Sequence, residues 1–330
     1  MTGPPLLALA GIRVLDLTWV IAGPVCTRML ADQGAEVIKV ESAATIDPIR
    51  MSGQWLHGVN TAPDGGATFT HYNRNKRSAT LNLKEARGRE LLLNLARASD
   101  VLVNNYSAGT LDRLGLGYDT LRAANPGLVV AELSGMGQTG PYRPYVAFGM
   151  TLMAMAGAYE LTGDPDSSPY MPGYTFTDFA AAAMGAFAII AALRHRDRTG
   201  EGQHLDLGQY QMGASLFAEE QFEFLVNGVE RSRQGNVAPG TLVHGVYRCS
   251  GEDEWCAIAA RSDAEWHALV RLGVLPAWLD EKRRSEPLYC FRNRDEVDAV
   301  VEAWTLPRDA RGGMVLLQAN GIEAARVQDA

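Results

Sequence analysis

Cysteine is scarce and without pattern: Cys26, Cys249, Cys256 and Cys290 form no Cys-x-x-Cys pair and no secreted disulfide rhythm. Such usage suits a reducing, cytoplasmic compartment and points to no zinc or other metal site. Histidine is also sparse. The six residues make neither a helical His-x-x-x-His pair nor a Ser-His-Asp order, and His204 and His244 read as structural. Positive charge is in deficit, with 30 Lys and Arg against 38 Asp and Glu, a net charge of −8. That balance argues against wrapping a nucleic acid and leaves room only for a local group of cations around one small anionic ligand. No apolar run is long enough for the roughly 20 residues of a membrane span. The longest, residues 179–193, is alanine-rich and reads as a buried helix, so no membrane partner is expected. Residues 1–11 carry no positive charge ahead of their few leucines and do not resemble a secretory signal.

What is present is a chain of 330 residues, 47% hydrophobic, long enough for a large domain and a smaller one. The first 135 residues alternate short β-branched runs with amphipathic stretches, the pattern of a parallel sheet covered by helices. Strands are expected at residues 13–17, 36–40, 101–104 and 128–133. A helix over 85–98 follows from the spacing of Leu91, Leu92, Leu95 and Ala98. Long helices rich in alanine and methionine are expected over 179–198 and about 207–226, joined by the polar turn at 198–203. Beyond Gly240, strands at 245–249 and 255–259 and helices at 263–272 and 295–304 make a small α+β domain. The expected division is a large α/β domain over 1–200, a linking helix over 201–235 and the small domain over 236–330.

Gly135-Met-Gly-Gln-Thr-Gly140 has dinucleotide-binding spacing after a predicted strand. That fingerprint needs a helix opening inside the glycines, whereas Pro141 and Pro144 bracket a turn, so nicotinamide binding is rejected. Asp178 stands directly before an apolar helix. Its ordinary use is an N-cap; a helix N-terminus also favours the ionised carboxylate that a nucleophile must be. The segment from Asn73 to Lys84 concentrates Arg74, Lys76, Arg77 and Lys84, a solvated loop or a cradle for nucleotide phosphates. Asn105 and Tyr106 follow a strand's carboxyl end, where open α/β sheets bind ligands. Tyr106 stacks on a purine or packs a turn, and Arg113 lies a little further on.

Several segments together resemble the class III CoA-transferases of CaiB/BaiF type, the formyl-CoA and carnitine CoA-transferase family that includes the α-methylacyl-CoA racemases. They are Gly11-Ile-Arg-Val-Leu-Asp-Leu17, Ala22-Gly-Pro24, Leu30-Ala-Asp-Gln-Gly-Ala-Glu-Val-Ile-Lys-Val-Glu41, Asn75-Lys-Arg-Ser78, Asp100-Val-Leu-Val-Asn-Asn-Tyr106, Leu111-Asp-Arg-Leu-Gly115 and His195-Arg-Asp-Arg-Thr-Gly-Glu-Gly-Gln203. The resemblance implies that Asp178 forms covalent acyl and CoA intermediates. It implies CoA contacts at Ile21, Ala22, Leu81, Asn82, Leu83, Lys84, Asn105, Tyr106, Ser107 and Arg113. It also implies a Rossmann-type large domain and an interlocked homodimer. The expected partners are an acyl-CoA and a carboxylic acid acceptor.

Racemases of the family carry a Gly-His-Asp segment whose histidine is the acid–base partner of the aspartate; the corresponding stretch here is Phe148-Gly-Met150. Without that second base, acyl transfer through a lone carboxylate is favoured over α-carbon proton exchange. Racemase and an inactive CoA-binding subunit remain the alternatives. The loop after Glu41 keeps Asp47 and Arg50 but lacks the family's usual glycine and the basic residue some members place beside the acid. No glycine-rich lid lies between Asn236 and Gly245, which disfavours formyl and oxalate chemistry. Family members continue past a segment like the one ending at Ala330, so a fragment or one piece of a longer polypeptide is expected. Met150, Met153, Met155 and Tyr159 line an apolar acyl pocket or pack the core.

Overall fold

The computed structural model describes residues 7–51 and 65–329; the first six residues of the stretch read above for a leader lie outside them. Its chain divides into two compact units, Met1–Thr162 with Ser168–Ser232, and Gly163–Ser167 with Arg233–Ala330.

The first unit is a mixed α/β structure. In chain order it holds β1 (Arg13–Asp16), α1 (Ala22–Asp32), β2 (Glu36–Glu41), α2 (Ala67–Asn73), β3 (Lys76–Thr80), α3 (Ala86–Arg97) and β4 (Val101–Asn104). Next come α4 (Thr110–Arg113), α5 (Tyr118–Ala124), β5 (Val129–Glu132), α6 (Gly149–Met155), α7 (Ala158–Leu161), α8 (Phe176–Thr199), β6 (His204–Asp206), α9 (Gln209–Ser215) and α10 (Ala218–Asn227). The six strands form one parallel sheet in the order β3-β2-β1-β4-β5-β6. This order reverses between β1 and β4, the switch point of a doubly wound, Rossmann-type sheet.

Alternation within the central strands builds a core on each face. Val14, Val101, Val103 and Ala131 pack with Val25 and Leu30 of α1 and Ala182, Ala186 and Ile189 of α8. Leu15, Leu102 and Val130 point the other way and pack with Leu92 and Ala96 of α3 and Leu121 of α5. Because helices cover both faces, β4 and β5 are buried along their whole length, as parallel central strands require.

Three expectations are corrected. Lys76–Thr80 is itself a strand; its polar sequence, Lys-Arg-Ser-Ala-Thr, fits a sheet edge and hides the strand from a search for apolar runs. The turn at 198–203 leads into the three-residue β6, and the single helix expected after it is split into α9 and α10. Helix α8 is longer than its apolar run and is long and apolar enough, by length and composition, to cross a membrane. Half of that stretch is nevertheless buried inside the protein, while Met184, Phe187 and Ile190 are exposed.

The second unit has an antiparallel sheet of β7 (Val243–Arg248), β8 (Trp255–Ala260) and β9 (Glu323–Arg326), in the order β7-β8-β9. Between β8 and β9 run α11 (Asp263–Arg271), α12 (Ala277–Ser285), α13 (Tyr289–Arg292), α14 (Arg294–Thr305) and α15 (Ala310–Ala319). A capping box of Ser262 and Glu265 opens α11, and the buried Trp266 donates from Nε1 to Asp280 at 2.9 Å.

Candidate active site

Loops leaving the carboxyl ends of β1, β4 and β5 meet around a cavity of about 190 Å³. The first supplies Trp19, Val20, Ile21 and Ala22; the second Asn105, Tyr106, Ser107 and Ala108; the third Ser134, Gly135, Met136 and Gly137. This is the crevice at which an open α/β sheet binds its ligands.

The loop after β1 is held in a conformation it would not adopt alone. Val20, a β-branched residue, has φ of 65°, a backbone state that costs on the order of 1–3 kcal/mol. Compensating bonds surround it. The Trp19 N–H donates to Asn105 Oδ1 at 2.8 Å, and Asn105 Nδ2 donates to the Trp19 carbonyl at 2.7 Å. The Val20 N–H donates to Asp47 at 3.2 Å, while Lys39 Nζ donates to the Thr18 carbonyl at 2.6 Å. Lys39 and Asp47 are both buried and lie 3.7 Å apart. Beneath the loop Asp16 and Lys76 pair at 2.9 Å. Burial alone would raise the Asp16 carboxyl, but Lys76 and Lys39 outweigh it and hold the group at about 2.

Asp178 lines the same cavity and is 8% exposed. It lies inside the first turn of α8, two residues after Phe176, and the N-cap is Thr175. The capping role expected for Asp178 is therefore corrected: its N–H donates to the Thr175 carbonyl at 3.0 Å, and its carboxylate faces the cavity. Burial raises its carboxyl above the ordinary aspartate value, against a weaker lowering by a hydrogen bond with the Thr175 side chain. The helix N-terminus does not overcome that desolvation. Among the described residues no cation pairs with it.

Gly149 explains how the carboxylate fits. A Cβ there would lie 2.2 Å from Asp178 Oδ2 and 2.8 Å from Thr175 Cβ, so no side chain can occupy the position while Asp178 keeps its place. The carboxylate uses the space that any larger residue would fill.

A second cavity of about 240 Å³ adjoins the first, sharing Trp19 and Tyr106 as walls. It is bounded by Leu81, Asn82, Leu83 and Lys84 after β3, by Glu41 at the end of β2, and by Ser42 and Thr45 after it. Trp19 and Tyr106 meet edge to face with ring centroids 6.2 Å apart.

Comparison with known proteins assigns this architecture. The model of CoA-transferase family III matches residues 9–330. The chain belongs to CoA-transferase family III. It is 34% identical over 319 residues to the succinyl-CoA–D-citramalate CoA-transferase of Chloroflexus aurantiacus, covering 97% of this chain and 78% of the relative. It is 35% identical over 326 residues to the succinyl-CoA:mesaconate CoA-transferase of Haloarcula marismortui, covering 98% and 81%. The crystal structure of a CAIB/BAIF family protein from Brucella suis superposes with a TM-score of 0.88 at 30% identity, covering 98% of this chain and 85% of that one. This class III CoA-transferase thus acts between acyl-CoAs and carboxylic acids.

In the CoA-transferase, Ile21, Ala22, Asn105, Tyr106, Ser107 and Asp178 come together at the first cavity, and Leu81, Asn82, Leu83 and Lys84 at the second. Arg113 lines neither; its guanidinium donates to the Ala108 carbonyl and to Thr110 Oγ1. The cation cluster read from the sequence is dispersed. Arg74 pairs with Asp32, Lys76 with Asp16 and Arg77 with Glu36, which leaves Lys84 facing a cavity. Arg50 pairs with Glu41 and stacks on Phe69. His204 bonds Glu132 and stacks on Tyr118. None of Met150, Met153, Met155 or Tyr159 lines the Asp178 cavity, whose apolar lining includes Met136, Val146 and Phe148. Sequence reasoning missed Trp19, Ser134, Arg143 and Gln209, which line it. Only the Arg143 charge in an acidic chain was a usable signal.

Proposed function

We propose that Asp178 is the nucleophile of a dicarboxylate CoA-transferase that works through a covalent aspartyl intermediate. One observation carries the reading: among the described residues Asp178 is the single carboxylate lining the cavity at the sheet's switch point, and no cation pairs with it. A carboxylate whose pKa is raised by burial is a stronger nucleophile once ionised. It attacks the thioester carbonyl carbon, the C–S bond breaks, and a mixed anhydride and CoA thiolate result. The thiolate then attacks the aspartyl carbonyl carbon and expels the donor carboxylate, leaving aspartyl-CoA. An acceptor carboxylate attacks that thioester to form a second anhydride, from which the returning thiolate takes the acceptor acyl group and frees Asp178. Every exchange keeps the thioester's free energy from hydrolysis.

The adjoining cavities fit an elongated ligand, with the nucleotide end against residues 81–84 and the thioester passing Trp19 and Tyr106. Binding of the remote end then positions the reacting group. Arg143 is the only cation among the described residues lining the Asp178 cavity and makes no ion pair, which suits the free carboxylate of a dicarboxylic acid. The named relatives act on citramalate and mesaconate, acids of that class. No histidine lines the cavity among the described residues, and Gly149 leaves no space for one beside Asp178, which speaks against the racemase alternative. A cytoplasmic homodimer completes the proposal; the exposed apolar residues of α8 and α10 supply surface for a second copy.

Intact-mass analysis after incubation with succinyl-CoA and with acetyl-CoA tests the reading. We expect a covalent adduct from succinyl-CoA on the native chain and none on Asp178→Ala. An adduct on the variant removes Asp178 from the chemistry, and equal labelling by acetyl-CoA removes the dicarboxylate preference.

A further inference from the structure

We infer that Ser134 donates the hydrogen bond that stabilises the oxyanion formed when Asp178 attacks the thioester; the inference rests on Asp178 being the nucleophile. Ser134 follows β5 by two residues, at the carboxyl end of a central strand. It is 2% exposed, lines the cavity that contains Asp178, and its Oγ is buried without a hydrogen-bond partner. Among the residues lining this cavity, Ser134 alone has a buried side-chain polar atom left without a hydrogen bond in the described residues. A buried hydroxyl left unpaired costs about 1–3 kcal/mol, so its retention calls for a use.

The polar side chains of Gln209, Asn105 and Ser107 are already committed. The Leu133 N–H donates to the Asn104 carbonyl, Gln209 Nε2 to the Leu133 carbonyl at 2.9 Å, and the Gln209 N–H to the Ser134 carbonyl at 3.0 Å. These bonds fix the backbone on both sides of the hydroxyl. They also spend the amide of Gln209, while that of Asn105 is spent on Trp19 and the Ser107 hydroxyl on Thr110. Arg143 and Tyr145 line the cavity from exposed positions. Ser134 is thus a fixed, desolvated donor, and its hydrogen turns freely to meet an acceptor.

As the Asp178 oxygen bonds to the thioester carbonyl carbon, the carbonyl electron pair moves onto its oxygen. Ser134 holds that oxyanion by hydrogen bonding and keeps its proton. Collapse returns the pair, breaks the C–S bond and releases the thiolate. A donor made useful only in the transition state raises kcat rather than substrate affinity.

The test is Ser134→Ala with Asp178 intact, measured for kcat, KM, the rate of adduct formation in a single turnover, and thermal midpoint. We expect kcat and the single-turnover rate to fall about 100-fold. KM for acyl-CoA stays within about threefold because ground-state binding is untouched. The midpoint is unchanged or higher, since an unpaired polar group has been removed. An unchanged kcat overturns the inference. So does a lowered midpoint or failure to fold, which marks the hydroxyl as a folding contact. Failure of the Asp178 reading shows separately, as an adduct that survives in Asp178→Ala.

Discussion

At the scale of the residue, Asp178 is governed by its desolvation. Its pKa in the folded protein is raised above that in the unfolded chain, so the folded state holds the proton more firmly. The stabilising contribution is complete below the unfolded value and is lost as pH rises through the folded one. At neutral pH the ionised carboxylate is consequently a burden on stability. Asp178→Asn should abolish adduct formation yet raise the thermal midpoint at pH 7, with the difference fading as pH falls into the ordinary aspartate range. Melting curves across pH check the sign. A midpoint for Asp178→Asn below that of the native chain at pH 7 would count against it. On the proposed mechanism the acid limb of kcat/KM should lie above the ordinary aspartate value, because a protonated carboxyl cannot attack.

Among the elements, α3 sets the loop at the proposed nucleotide end. Gly88 lets the helix lie against this loop: a Cβ there would be 2.0 Å from the Asn82 carbonyl oxygen. Asn82 lines the second cavity with Leu83 and Lys84. Gly88→Ala must therefore push helix and loop apart, at the roughly 1–3 kcal/mol of an overpacked contact. We expect KM for acyl-CoA to rise about tenfold while kcat changes little, since about 1.4 kcal/mol of binding is a factor of ten. Steady-state kinetics read the split, and a fall in kcat at constant KM would contradict it. The loop after β1 was legible as a ligand loop only through resemblance, because its strain and its anchors at Asp47 and Asn105 come from distant parts of the chain.

For the whole molecule, apolar surface is the outstanding feature. Phe187 of α8 is 69% exposed and Leu225 of α10 is 75% exposed, with Phe222, Phe224 and Val226 beside the latter in sequence. Apolar groups left outside in this way are what a second copy would cover. Sedimentation should give a dimer mass for the native chain and a monomer mass for Phe187→Glu combined with Leu225→Glu. A native monomer at micromolar concentration would remove the dimer from the proposal.

The alternating pattern of the central strands, the start of an apolar helix near Asp178 and the polar loop ends were all readable along the chain. Each depends on neighbours within a few residues, and periodicity carries that information. Short or polar strands such as β6 and β3 escaped because pairing in the sheet, not local composition, makes them strands. The cations deceived for a similar reason. Arg74 finds Asp32, and Lys76 finds Asp16, only after the sheet has brought residues 40 to 60 positions apart into contact. Folding likewise brought Gly149 against Asp178 and left the Ser134 hydroxyl unpaired. Local sequence determined which groups the cavity had available; tertiary packing decided which of them remained uncommitted, because desolvation and pairing depend on partners remote in the chain.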